Sequence, residues 1–315
     1  MDLYTICLWT GIAIFAVKLF ELYKRLAPYF TAPVDVNERY IKGKKDVWAV
    51  VTGASEGAGR DWAIELSKRG FNIILIARTV SKLEKVAQEL NPAVKSKILP
   101  KDFSKCDDEQ FALELKKDLQ DFNIAALVNN VGVIDVERFE KISAQTIANH
   151  IKINMISMSV MVSILYEKLY QDAKKDNRKS IIINMSSFSA ENHSAFYQIY
   201  SSTKKYILHF TTILDKTYKL HQDDFKDYVD ILAIRPYFIK TQMVNFKSLP
   251  FTVTTEQFQK GVFSIIGKTN HASGTAIHEL YSFISGLVPK YLLDFAMPHI
   301  TWNLVVQLGF QKKDN

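Results

Sequence analysis

The run Ile181–Lys205, "IIINMSSFSAENHSAFYQIYSSTKK", carries a hydroxyl, a phenol and an ammonium at spacings that could act together. Ser187 stands thirteen residues before Tyr200, and Lys204 four residues after it. If the apolar start is a strand and the end is a helix, the three groups converge. The serine would then polarise a carbonyl, the phenol would give it a proton, and the ammonium would make that phenol more acidic. Those are the needs of hydride exchange between a nicotinamide and a ketone or alcohol. The Tyr–Lys step alone proves nothing, because it only puts two side chains on one helix face. Tyr40 with Lys44 and Tyr170 with Lys174 share it, but neither pair follows a strand that ends in serines.

The elements around this run predict a sheet that could position it. "VWAVVT" (Val47 to Thr52) runs into the glycine-rich "GASEGAGR", then a helical pattern to Gly70 and a second apolar run, Phe71 to Ala77. That is one βαβ unit. The alternation continues with helices at 81–90, 107–119, 143–172 and 196–220 and strands at 96–99, 124–130, 180–186 and 229–235. Strands that read as unbroken apolar runs between helices predict a parallel sheet covered on both faces. Beyond Pro236 the pattern weakens to a helix from Thr254 to Gly267 and one last strand at Ala272 to Ile277.

"TGASEGAGR" sets Gly53, Gly57 and Gly59 at the first strand-to-helix turn. Gly53 would allow the tight turn, Gly57 the close approach of a pyrophosphate, and Gly59 the packing of helix on sheet. The phosphates would meet the open N–H groups of a helix N-terminus. The second strand is followed by Arg78, with no acid there to take ribose hydroxyls. A guanidinium suits the 2′-phosphate of NADP instead, with Arg60 assisting.

These residues together resemble the short-chain dehydrogenase/reductase family over Lys45 to about Thr241. "TGASEGAGR", which includes Ser55, is similar to the family's glycine motif, and "NNVG" (Asn129 to Gly132) to its strand-four motif. Asn154 resembles the long-helix asparagine, and Ser187, Tyr200 and Lys204 the catalytic serine and Y-x-x-x-K. The resemblance implies cofactor contacts from Asn129, Asp102, Tyr200, Lys204 and Pro236, with Asp102 touching the adenine, and a water held by Asn154 between Lys204 and solvent. Further segments, such as "INMSS", "IYSSTK" and "RPYFIKTQM", resemble the branch of very-long-chain 3-oxoacyl-CoA reductases and 17β-hydroxysteroid dehydrogenases type 12. Members of that branch reduce 3-oxoacyl-CoA with NADPH during fatty acid elongation in the endoplasmic reticulum. Ala58 departs from the usual isoleucine, and the polar segment "FSAENHSAF" leaves the substrate open, since it would border the acyl pocket.

Composition describes a globular chain, 48% hydrophobic and 23% charged. Cys7 and Cys106 make no disulfide framework and fit a reducing compartment. The seven histidines show no ligand spacing, so no metal site is expected. A net charge of +7 suits anionic membranes or phosphate ligands, without a nucleic-acid footprint.

Leu3 to Val17 lacks any charge and predicts an uncleaved membrane anchor, with Lys18, Lys24 and Arg25 keeping the remaining chain in the cytosol. The tail from Leu280 to Phe310 is apolar and could lie on the membrane. Lys312 and Lys313 resemble a dilysine retrieval signal of the endoplasmic reticulum.

The expected fold class is thus α/β, a Rossmann-type doubly wound parallel sheet with an N-terminal anchor helix and an apolar C-terminal extension. Its expected divisions are an anchor (1–26), a connector (27–45), an NADP-binding domain (46–279) and the tail (280–315). The expected activity is NADPH-dependent reduction of a lipid ketone or 3-oxoacyl-CoA. A steroid or other lipid ketone is an alternative substrate, and a non-catalytic subunit of a membrane enzyme complex an alternative role.

Overall fold

Strands made of Ile, Val, Leu and Ala on both faces are stable only between two layers of helices, and that is their arrangement here. The protein is represented by a computed structural model that describes residues 2–192, 195–220, 224–241, 250–289, 291–293, 295–296 and 299. Strands β1 (Trp48–Thr52), β2 (Asn72–Ala77), β3 (Ser96–Pro100), β4 (Ile124–Asn129), β5 (Ser180–Met185), β6 (Val229–Ile234) and β7 (His271–Ala272) form one sheet. Its order is β3-β2-β1-β4-β5-β6-β7, every pairing parallel.

Successive strand residues feed opposite cores, as the two-residue period of a strand requires. Ala49 and Val51 of β1 join one cluster, and Trp48 and Val50 the other. The first core is closed by α2 (Gly57–Lys68) and α3 (Val80–Glu89) through Trp62, Leu66, Leu83 and Val86, and by α9 (Thr255–Ile265) through Phe258 and Val262. The second is closed by α4 (Glu109–Leu119), α6 (Ser157–Asp176) and α7 (Gln198–Leu220), with Leu115, Met161, Leu165 and Ile207 inside.

Two expected elements differ. The single helix from Ser143 is α5 (Ala144–His150), one wide π-type turn over Ile151–Ile156, and then α6. The expected strand at 272–277 ends at Ala272, because Thr275 caps the N-terminus of α10 (Ala276–Leu287) by accepting from the His278 amide. A short helix α8 (Phe225–Tyr228) precedes β6.

The expected anchor and connector both pack against the sheet domain. Helix α1 (Leu3–Phe30) is 28 residues long, and its most apolar 18-residue window has mean hydropathy 1.8 with none of it buried. Its last turns pack on α9 and α10. The expected connector is packed too: Tyr40 and Ile41 are buried. Arg39 Nε and Tyr40 Oη donate to Asp230 of β6 at 2.8 and 2.7 Å. In the expected tail, α10 crosses residue 279 without a break and buries Ser282 and Phe283. Lys312, Lys313 and most of the apolar run at 295–310 lie outside the described residues.

Candidate active site

The loops after β1 to β6 all emerge at the C-terminal edge of the sheet and enclose a cavity of about 590 Å³. The strand order reverses between β1 and β4, the place where an open α/β sheet leaves a crevice for a ligand. At its near end is the glycine turn. Gly53 has φ +67°, and a Cβ there would lie 2.9 Å from the Val131 Cα. Gly57, at φ +58°, lines the cavity, and a Cβ on it would meet nothing nearer than Thr241 at 3.8 Å. Ser55 lines it as well. Glu56, at the N-cap of α2, makes no side-chain capping bond, so the first amides of the helix remain open to the cavity. This cradle fits a pyrophosphate.

Gly59 is a packing residue, since a Cβ there would lie 2.2 Å from the Gly53 carbonyl oxygen. Arg78 lines the cavity, is exposed, and makes no ion pair among the described residues. The other cations nearby are engaged: Lys82 with Glu56 at 2.7 Å, and Lys101 with Asp118 at 3.0 Å. Asp102 lines the same end and caps the Ser104 amide at 3.0 Å.

Two expected contacts are placed elsewhere. Arg60 turns away from the cavity to Glu89 and Asp61. Asn129 is buried behind it, donating to Asn184 Oδ1 at 2.8 Å. Its neighbour Asn130 is the lining residue, and its side-chain amide donates to the Thr52 carbonyl at 3.1 Å, fastening the β4 loop to the glycine turn. Only the strand's exit phase separates the two asparagines.

Ser187, Tyr200 and Lys204 meet in the middle of the cavity, beside Pro236. Ser187, two residues beyond β5, caps a single 3-10 turn, its hydroxyl accepting from the Ser189 amide at 3.2 Å. Tyr200 lies on the first turn of α7, and burial raises its phenol above the ordinary value while a hydrogen bond to Ser187 pulls it back. Lys204 is buried one turn on, its Nζ donating to the Met185 carbonyl at 2.8 Å and lying 5.6 Å from the Tyr200 ring centroid. Burial lowers its ammonium to about 8. Burial is thus the largest influence on both the Tyr200 phenol and the Lys204 ammonium.

Asn154 sits in the π-type turn, with Oδ1 accepting from the Val133 amide at 2.8 Å and Nδ2 donating to the Val133 carbonyl and Thr203 Oγ1. A Cβ on Gly132 would lie 3.3 Å from Asn154 Oδ1 and 3.4 Å from Lys204 Nζ, so the two groups flank one glycine. The other two Tyr–Lys pairs do structural work. Tyr40 bonds Asp230, and Tyr170 and Lys174 share Asp224 at the surface.

Beyond Tyr200 the cavity becomes aromatic. Phe188, Tyr197, Tyr237, Phe238 and Tyr281 line it. Phe188 and Phe251 each stack with Tyr281, with centroids 5.0 and 4.8 Å away. Tyr281 was not legible as a site residue because it falls in the apolar tail. Within "FSAENHSAF", Phe188, Ser189 and Tyr197 border the cavity, whereas Glu191 turns outward to Arg235. His193 lies outside the described residues.

A glycine cradle, a sheet of this order and a Ser–Tyr–Lys group in one cavity define a dinucleotide-dependent oxidoreductase. The chain belongs to the short chain dehydrogenase family, whose pattern matches residues 47–249. It is 28% identical over 296 residues to a very-long-chain 3-oxoacyl-CoA reductase of Caenorhabditis elegans, covering 91% of this chain and 89% of the relative. It is 29% identical over 248 residues to 17-beta-hydroxysteroid dehydrogenase type 3 of Mus musculus, covering 77% and 76%. Among solved structures, a short-chain dehydrogenase from Sphingobium yanoikuyae in complex with NADPH shares the fold, with a TM-score of 0.58 and 20% identity over 67% of this chain and 80% of that one.

Proposed function

We propose that the protein reduces 3-oxoacyl-CoA to 3-hydroxyacyl-CoA with NADPH, serving very-long-chain fatty acid elongation at the cytosolic face of the endoplasmic reticulum membrane. The observation that carries the reading is one cavity with a glycine cradle and Arg78, without an ion pair among the described residues, at one end, an aromatic wall at the other, and Ser187 and Tyr200 among its lining. The relatives named as 3-oxoacyl-CoA reductases support the substrate, and the exposed apolar length of α1 supports the membrane setting.

Gly53, Gly57 and the open amides of α2 would hold the cofactor's pyrophosphate, Asp102 its adenine end and Arg78 its 2′-phosphate. Reduced nicotinamide, when bound, supplies the hydride. Ser187 Oγ hydrogen-bonds the ketone oxygen and fixes it beside the phenol. Tyr200 gives its proton to that oxygen as the carbonyl carbon gains the electron pair, so the product is a neutral alcohol. A phenol raised by burial stays protonated at neutral pH, which favours the reducing direction. Lys204, protonated below about 8, offsets the negative charge left on the tyrosine.

A hydroxysteroid reading rests on the aromatic lining of the cavity, where Phe188 stacks with Tyr281 and meets Tyr237, a wall that also suits a rigid ring system. The detergent-solubilised full chain should oxidise NADPH with long-chain 3-oxoacyl-CoA at least about tenfold more efficiently than with steroid ketones, a difference of roughly 1.4 kcal/mol in the transition state. The reverse order would assign it to the steroids. Turnover of neither would favour the non-catalytic membrane subunit.

A further inference from the structure

A cluster of charge with a buried centre, separate from the reacting groups, ties four segments of the chain together. Arg235, directly after β6, pairs with Glu191 and lies 3.3 Å from Glu279, with both Arg235 and Glu279 side chains 3% exposed. Glu279 also accepts from the Ser273 amide at 2.7 Å and from Tyr29 Oη at 3.5 Å. Arg25 of α1 donates to Glu21 of its own helix at 2.7 Å and reaches to 3.7 Å from Glu279, with its guanidinium 5.7 Å from the Phe283 ring centroid. Ser282 donates to Glu191 at 3.2 Å. Arg235 and Glu279, the two members withdrawn from water, pair with each other as such groups must.

Three members of the cluster adjoin the aromatic wall in sequence. Arg235 precedes Pro236 and Tyr237, Glu191 follows Phe188 and Ser189, and Glu279 precedes Tyr281. The fourth segment is the N-terminal helix, which supplies Arg25 and Tyr29. Lys268 reinforces this docking by donating to the Pro28 and Thr31 carbonyls at 2.9 and 3.1 Å. The cofactor end of the cavity, built on the loops after β1 to β3, shares none of these groups.

We infer that α1 is a working part of the substrate site. Arg25, acting through Glu279 and Arg235, is a positioning residue that holds Tyr281, Tyr237 and Phe188 in the arrangement that accepts the lipid. The inference rests on the ketone-reductase reading for its substrate, but not for its geometry. Loss of Arg25 leaves Glu279 with less positive charge and loosens α10 against the wall, so substrate binding weakens while proton delivery and cofactor binding persist.

The test uses the full chain in nanodiscs, as wild type, Arg25→Ala and Arg25→Lys. Arg25→Ala should raise KM for a long-chain 3-oxoacyl-CoA about tenfold, with kcat and the NADPH Kd kept within about twofold, and Arg25→Lys should restore most of the lost affinity. Hydrogen exchange in Arg25→Ala should quicken at 188–191, 236–239 and 276–287 and stay unchanged in β1 and β2. An unchanged KM with unchanged exchange overturns the inference. So does faster exchange across the whole sheet, which would make Arg25 a general stabiliser. If the wild type reduces no ketone, the functional reading fails and the exchange pattern alone decides the role of Arg25.

Discussion

Replacing Arg78 with alanine should collapse the preference for NADPH over NADH. Arg78 is the one cation lining the cofactor end that forms no ion pair among the described residues, since Lys82 and Lys101 are held by Glu56, Glu114 and Asp118. Neither lysine is free to replace it. A charge-assisted hydrogen bond contributes about 1.5–3 kcal/mol, and screening at an exposed site keeps the value near the lower end. About 1.5 kcal/mol corresponds to a Kd raised roughly tenfold. NADH lacks the 2′-phosphate, so its Kd should move by less than about twofold. Fluorescence titration of both reduced cofactors against wild type and Arg78→Ala reads this directly, and raising the salt concentration should shrink the difference. Equal weakening of both cofactors would mean that Arg78 only supports the loop. No weakening of either would refute the assignment.

Two other outcomes follow from the same geometry. The rate of ketone reduction should be level below pH 8 and fall above it as Lys204, lowered to about 8, loses its proton, while the raised Tyr200 phenol remains intact. Lys204→Arg should move that fall to higher pH in a pH–rate profile, and an unmoved profile would assign the fall to another group. Asp230→Asn should lower Tm by about 6 °C, because it breaks a largely buried pair worth about 3 kcal/mol. Burial opposes ionisation of Asp230, but hydrogen bonds from Arg39 and Tyr40 outweigh it and hold the carboxyl below its ordinary 3.8. Its contribution is therefore complete above 3.8 and lost as pH falls through the folded value. Melting curves should show the gap between wild type and variant closing in acid, and a constant gap would contradict the pairing.

The parallel sheet was legible because most of its longer strands are short, largely apolar runs set between helical patterns, as burial on both faces requires. The Ser187–Tyr200–Lys204 group was legible because its three side chains lie close in sequence on one strand–turn–helix. Contacts that depend on where a loop turns were not. Asn130 rather than Asn129 reaches the cavity, because the chain leaves β4 one residue later in phase. Arg60 finds Glu89, twenty-nine residues away in sequence and across from it on α3, before it can face a phosphate. The connector reads as polar text, yet Tyr40 and Ile41 are buried, because Asp230 on a distant strand gives Arg39 and Tyr40 a partner. Tyr281 was hidden for a similar reason: an aromatic in an apolar tail carries no sign of the wall it will stack against.

The central claim is that Tyr200 delivers the proton in a cavity built for NADPH and a lipid ketone. The measurement that tests it most directly is NADPH oxidation with long-chain 3-oxoacyl-CoA by the full chain and by Tyr200→Phe, alongside NADPH binding by both. The account predicts turnover by the wild type, a loss of at least about a thousandfold in kcat for Tyr200→Phe, and an NADPH Kd that stays within about twofold. A Tyr200→Phe enzyme that keeps near-normal kcat would contradict it.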